Sequence, residues 1–124
     1  YLVARAGAFQ RIEGAASPVG LYRHTKPAID QYPIEAGLMV VVFTDGIVNA
    51  GERHKGRFDP LGWVNNLDLT CRTAHDIADG LLAAAMAADQ SRPNDDMTVV
   101  AATIVDSDQQ QPIRTLRVSL PFKG

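Results

Sequence analysis

Residues 38–43 are Leu38-Met39-Val40-Val41-Val42-Phe43, and this unbroken apolar run stops at Thr44-Asp45-Gly46. A run so short and so rich in β-branched side chains reads as a strand buried on both faces. The Asp-Gly that follows is expected to end the strand and turn the chain. Asp45 then stands at the tip of a rigid buried element, where metal or phosphate chemistry has a use for a carboxylate. Turn chemistry alone also explains Asp-Gly after a strand, so the run by itself leaves both readings open.

The rest of the composition sets limits. At 124 residues the chain is one domain or part of one. A formal net charge of −2, mixed along the chain, gives no basic footprint for nucleic acid. No apolar run approaches the roughly 20 residues that span a bilayer. Cys71 is the single cysteine, so no internal disulfide can form and a reducing, cytoplasmic setting is expected. There is no initiator methionine and no signal-peptide pattern, and residues 1–5 already read as a strand. The expectation is a chain cut from something longer.

Around the central run, residues 1–5 and 9–13 flank Ala6-Gly7-Ala8 and fit a tight hairpin. Residues 14–20 read as a loop, with Ser17-Pro18-Val19-Gly20 as its rigid part, and His24, Thr25 and Lys26 lie in a second polar connection. Residues 28–34 alternate loosely and fit an edge strand limited by Pro33. Glu35-Ala36-Gly37 turns the chain into the central strand. Residues 48–69 are too long for a plain connector. Phe58, Leu61 and Trp63 would anchor this loop to the core, and it is either a site for substrate contacts or a packed surface flap.

Residues 73–89 form the clearest helix. Thr73-Ala74-His75-Asp76 fits a capping box with Asp at its fourth position. Ala74, Ile77, Ala78, Leu81, Leu82 and Ala85 recur at helical spacing and make one apolar face, which a sheet is expected to cover. His75 has no partner at metal-ligand spacing and reads as a solvated or capping residue. After Arg92-Pro93, the polar Asn94-Asp95-Asp96-Met97-Thr98 feeds a second apolar strand over 99–105. A Gln-rich linker over 106–112 precedes a half-buried terminal strand over 113–120.

If the strands carrying these acidic ends lie side by side and antiparallel, Asp45 and Asp95 face each other across a gap. Two desolvated carboxylates at close range repel unless a cation sits between them. Oxygen-only donors suit Mg²⁺ or Mn²⁺, and no Cys or His cluster offers a zinc site. Taken singly, each acidic residue is explained as a turn or cap; taken as a pair on two strand ends, a metal site becomes an equal reading.

Thr44-Asp45-Gly46-Ile47 and Asp95-Asp96-Met97-Thr98-Val99-Val100 resemble the last two acidic motifs of PPM-type serine/threonine phosphatases. Their spacing, with a helix between them, is similar to that of the bacterial branch typified by the stage II sporulation protein E family. Pro18-Val19-Gly20-Leu21, Glu35-Ala36-Gly37 and Gly56-Arg57-Phe58 resemble further segments of that branch, so the likeness runs over residues 1 to about 105. It implies an α+β fold: part of an α-β-β-α sandwich with mainly antiparallel strands and one long amphipathic helix. It further implies that Asp45 and Asp95 are ligands of a pair of Mn²⁺ or Mg²⁺ ions, with Gly46 and Asp96 beside the site. The implied reaction is hydrolysis of phosphoserine or phosphothreonine by metal-activated water, with no covalent enzyme intermediate and no nucleophile from this chain. Substrates in that branch are often phosphorylated anti-sigma-factor antagonists, which implies a role in bacterial signalling.

The family places further ligands, including another Asp-Gly, in its N-terminal half. On the resemblance, residues 1–124 are the C-terminal portion of one catalytic domain. Alone, they are expected to bind metal weakly, turn over little or nothing, and pair with the other half or with themselves. Two competing readings are a non-catalytic relative acting as an interaction module in a signalling complex, and an unrelated α+β scaffold whose acidic turns are only turns.

Overall fold

A computed structural model of the chain describes residues 1–5, 7–12, 29–54, 56–69 and 72–106. The expected 14–20 loop, the polar stretch at 24–26, Cys71, Pro18-Val19-Gly20-Leu21 and the 113–120 strand all lie outside the described residues.

Seven elements follow in chain order: β1 (Leu2–Arg5), β2 (Ala8–Arg11), β3 (Met39–Phe43), α1 (Asp45–Asn49), α2 (Pro60–Asn65), α3 (Ala74–Ala88) and β4 (Val99–Thr103). The hairpin forms as expected, with β1 and β2 antiparallel and Gly7 at φ +82°, a conformation that a residue without a Cβ takes at little cost. The strands make one antiparallel sheet in the order β2-β1-β3-β4. The expected turn at Glu35-Ala36-Gly37 enters β3, with Gly37 at φ +83° donating its N–H to Ile104 O at 2.9 Å.

Register decides which side chains share a face. Leu2 pairs with Val41, and Ala4 with both Met39 and Phe9. These five are buried on one side of the sheet together with Ile47, Ala50, Val64, Ile77, Leu81 and Ala85 from the helical side. Each large aliphatic so buried contributes on the order of 1.5–3 kcal/mol. The expected face of α3 does this covering through Ile77, Leu81 and Ala85. Its start is a full capping box: Thr73 Oγ1 accepts the Asp76 N–H at 3.1 Å, and the Asp76 carboxylate accepts the Thr73 N–H at 2.8 Å. His75 lies on the solvated side, 3.2 Å from Asp79 one turn on.

Four expectations need correction. First, β3 is not buried on both faces: Val42 is 50% exposed, as is its cross-strand partner Val100 at 59%. The core cluster draws on one side of the sheet, as antiparallel sheets permit. Second, Asp45-Gly46 does not make a turn: Thr44 is extended, and Asp45 opens α1 directly. Third, residues 29–35 form no strand. Pro33 lacks the N–H a ladder needs, and this segment reaches β1 through side chains instead. Tyr1 donates its hydroxyl to Asp30, which raises the phenol's pKa, and Arg5 meets Glu35 at 2.9 Å. Fourth, the 48–69 loop contains α2. Asn65 at its end pins the helix to the sheet, accepting the Phe9 N–H at 2.9 Å and donating to Phe9 O at 3.2 Å. Phe58, Leu61 and Trp63 pack against the core as expected.

Candidate metal centre

The antiparallel pairing of β3 with β4 runs out at Phe43 opposite Val99. Beyond it the two chains are held by threonine. Thr44 donates its N–H to Thr98 O at 3.1 Å. Its hydroxyl donates to Asp96 O at 2.8 Å and accepts the Thr98 N–H at 3.0 Å. This is why Thr44, though it precedes α1, makes no side-chain cap to that helix. Its role went unread in the sequence. The signal for it was there: a hydroxyl residue, Thr44, stands directly before the first acidic motif at the end of a strand expected to pair with the second.

The clamp brings the backbones of the two motifs together. Gly46 is buried against the other segment. A Cβ there would lie 2.6 Å from Asp96 O, 3.1 Å from Asp96 C and 3.4 Å from Asp95 O. So the end of β3 and the approach to β4 are in van der Waals contact at Gly46, and Asp45 and Asp95 each lie one residue from it or in it. Asp45 opens the first turn of α1, where the helix end favours negative charge. Asp95 Oδ1 accepts the Asp96 N–H at 2.8 Å, which orients that carboxylate and leaves its second oxygen for another partner.

The carboxylates are not desolvated as expected: Asp45, Asp95 and Asp96 are all exposed. Mutual repulsion in a dry site therefore cannot be what calls for a cation here. The donor set still fits one in kind, since exposed oxygen donors suit a hard divalent ion. It does not fit in number. Among the described residues, no three His, Cys, Asp or Glu side chains come together as a metal-holding group. Asp45 and Asp95 would supply part of a ligand set, with Asp96 and Gly46 beside them.

A single antiparallel sheet with helices over one face, with two acidic motifs meeting at its end, fits one sheet-and-helix layer of the α-β-β-α sandwich expected from the sequence. The family model for stage II sporulation protein E (SpoIIE) matches residues 1–105, and the chain belongs to that family. Among solved structures it is similar to the phosphatase domain of the cell fate determinant SpoIIE from Bacillus subtilis. The TM-score is 0.60 at 19% identity, covering 89% of this chain and 50% of that one. The manganese-presoaked form of the same domain gives a TM-score of 0.61 at 17% identity, with 89% and 48% covered. Identities this low show a shared fold. The chain spans about half the length of these structures. No curated protein sequence matches it.

Proposed function

We propose that the chain is the C-terminal portion of the catalytic domain of a metal-dependent protein serine/threonine phosphatase. The observation that carries this reading is the junction of β3 and β4, where a SpoIIE-family chain brings Thr44-Asp45-Gly46 against Asp95-Asp96. In this reading Asp45 and Asp95 hold Mn²⁺ or Mg²⁺, two ions in the whole domain, with other ligands supplied from outside this chain. The bound ions would lower the pKa of a water and polarise the phosphoryl group. The chain's own part is placement. The Thr44 clamp fixes the two acidic segments relative to each other, Gly46 lets them approach, and the Asp96 N–H orients Asp95.

The substrate in this reading is a phosphorylated protein, of the anti-sigma-factor-antagonist type, in cytoplasmic bacterial signalling. Among the described residues no helix is long and apolar enough to cross a membrane. The exposed Val42 and Val100 suit burial against a second sheet, from the other half of the domain or from a second copy. A second reading is a non-catalytic interaction module of the same fold.

The deciding experiment is Mn²⁺-dependent release of phosphate from a phosphoserine peptide. The protein assayed carries this chain together with the rest of its domain. Turnover that disappears in Asp45→Asn and Asp95→Asn supports the phosphatase reading. Turnover unaffected by both changes removes Asp45 and Asp95 from the ligand set, and none in the wild type favours the interaction module. The 124-residue chain alone is expected to show little turnover; a rate matching the whole domain would refute the shared-site reading.

A further inference from the structure

A short turn that begins at Ala50 and closes at Phe58 leaves the helical side of the fold next to the acidic end of the sheet. Its base is fixed and buried. Ala50 is fully buried, and the Phe58 N–H reaches Ala50 O at 2.7 Å. Gly51 takes φ +78° and donates its N–H to Asp89 Oδ1 at 2.7 Å. Asp89, at the C-terminal cap of α3, is only 2% exposed, so this carboxylate is a buried anchor for the turn. Gly51 O in turn accepts the His54 N–H at 2.9 Å.

The tip of the turn carries two arginines with different partners. Arg57 is paired with Glu52 at 3.2 Å, so its charge is offset locally. Arg53 donates to Asn94 Oδ1, a neutral amide, and Asn94 immediately precedes Asp95. A full positive charge is thus tethered one residue from a proposed metal ligand, on a segment whose exposed Asp95 and Asp96 carboxylates would repel an anion. A phosphorylated side chain carries about −1.5 to −2 charges near neutral pH. A guanidinium presents a planar fork that matches two phosphoryl oxygens.

We propose that Arg53 is a substrate-binding residue that takes the phosphoryl oxygens of a phosphorylated protein, and that Asn94 and Asp89 are positioning residues that hold it ready. The assignment rests on the phosphatase reading above. The hydrogen bond to Asn94 holds the Arg53 side chain before substrate arrives, which lowers the ordering cost of binding.

The test is the dependence of initial rate on phosphoserine-peptide concentration, with Mn²⁺, in the protein that carries this chain with the rest of its domain. Arg53→Gln should raise KM by roughly tenfold or more, as expected for losing a charge-assisted pair. Arg53→Lys should recover part of the loss, and Asn94→Ala should raise KM by a smaller factor. The unfolding midpoint should stay at the wild-type value in all three, so that the change in KM is not a loss of fold. An unchanged KM in Arg53→Gln, or a loss that tracks a lowered midpoint, overturns the assignment while leaving the phosphatase reading intact. If the wild type shows no turnover, that reading fails and binding of the same peptide decides. Preference for the phosphorylated over the unphosphorylated peptide, lost in Arg53→Gln, supports Arg53; no preference, or one kept by the variant, overturns it.

Discussion

Replacing Gly46 by Ala tests the junction with a single methyl group, and two effects of opposite sign compete. Gly46 lies in the helical turn of α1, where Ala is favoured over Gly by about 1 kcal/mol. Against this, the added Cβ would sit 2.6 Å from Asp96 O, about 1 Å inside the separation at which non-bonded carbon contacts are best. The obstacle is a backbone carbonyl rather than a side chain that can rotate away. That carbonyl is also held by the Thr44 hydroxyl at 2.8 Å, and the same hydroxyl receives the Thr98 N–H at 3.0 Å. Relief of the clash means giving up one or both of these bonds, at about 1 kcal/mol each, on top of overpacking strain of about 1–3 kcal/mol. The steric side wins, and the expected net loss is about 1–4 kcal/mol. With a urea slope of about 2 kcal/mol/M, that is a midpoint lowered by roughly 0.5–2 M at unchanged slope. Mn²⁺ affinity of the whole domain should fall in parallel, since Asp95 moves with the displaced segment. A Gly46→Ala protein as stable as the wild type, or more stable, would mean that helix propensity governs the site and that the two motifs are not in contact.

Substitutions at three other positions probe neighbouring parts of the fold. Asp45→Asn should leave stability within about 0.5 kcal/mol, because Asp45 is exposed, while abolishing Mn²⁺-dependent turnover; equal activity would remove Asp45 from the proposed ligand set. Asp89→Ala leaves the buried Gly51 N–H without its acceptor and should cost about 1–3 kcal/mol, with faster amide exchange at Gly51, whereas Asp89→Asn keeps an oxygen and should cost less; equal losses in urea unfolding would count against the anchor. Asp76 has its pKa lowered, first by the Thr73 backbone N–H and then by the Thr73 hydroxyl. Its cap therefore contributes above the ordinary carboxylate range and is lost as pH falls through the depressed folded value. Asp76→Asn should flatten the acid limb of the stability profile, and an unchanged limb would show that the capping box adds nothing there.

What the sequence disclosed and what it hid divide along physical lines. Features governed by neighbours in the chain were legible: the hairpin at Gly7, the Thr73 box, the apolar face of α3, and the aromatic anchors Phe58 and Trp63. The sidedness of the sheet was not. A run of valines reads the same whether one face or both are covered, and only the placement of the helices shows Val42 and Val100 open to solvent. The helix at Asp45 was hidden because five residues are too few to show a 3.6-residue period, and Asp-Gly carries a strong turn signal of its own. At the candidate site the acidic motifs could be found by type and spacing. Their exposure, and the tether from Arg53 to Asn94, depend on tertiary placement that no local pattern encodes.

The pairing of β3 with β4 also explains why threonine stands at position 44, at the end of β3. Side chains alternate faces along a strand, so a slip of one residue would turn every buried side chain of β3 to solvent and move Asp95 away from Gly46. The hydrophobic pattern guards weakly against that slip here, because Val40 and Val42 on the second face are as apolar as Met39 and Val41 on the first. Turn geometry gives no help either, since β3 and β4 are joined through three helices rather than a hairpin. A polar lock at the strand ends supplies what the pattern lacks. Thr44 can satisfy Asp96 O and the Thr98 N–H together only in the register with Phe43 opposite Val99. Thr44→Val keeps the β-branched shape and removes both bonds, so it should loosen register and weaken Mn²⁺ binding together. Amide exchange at Thr98 should rise well above that at Ala101 in the middle of β4. Equal protection at the two positions in the variant would show that packing alone sets the register.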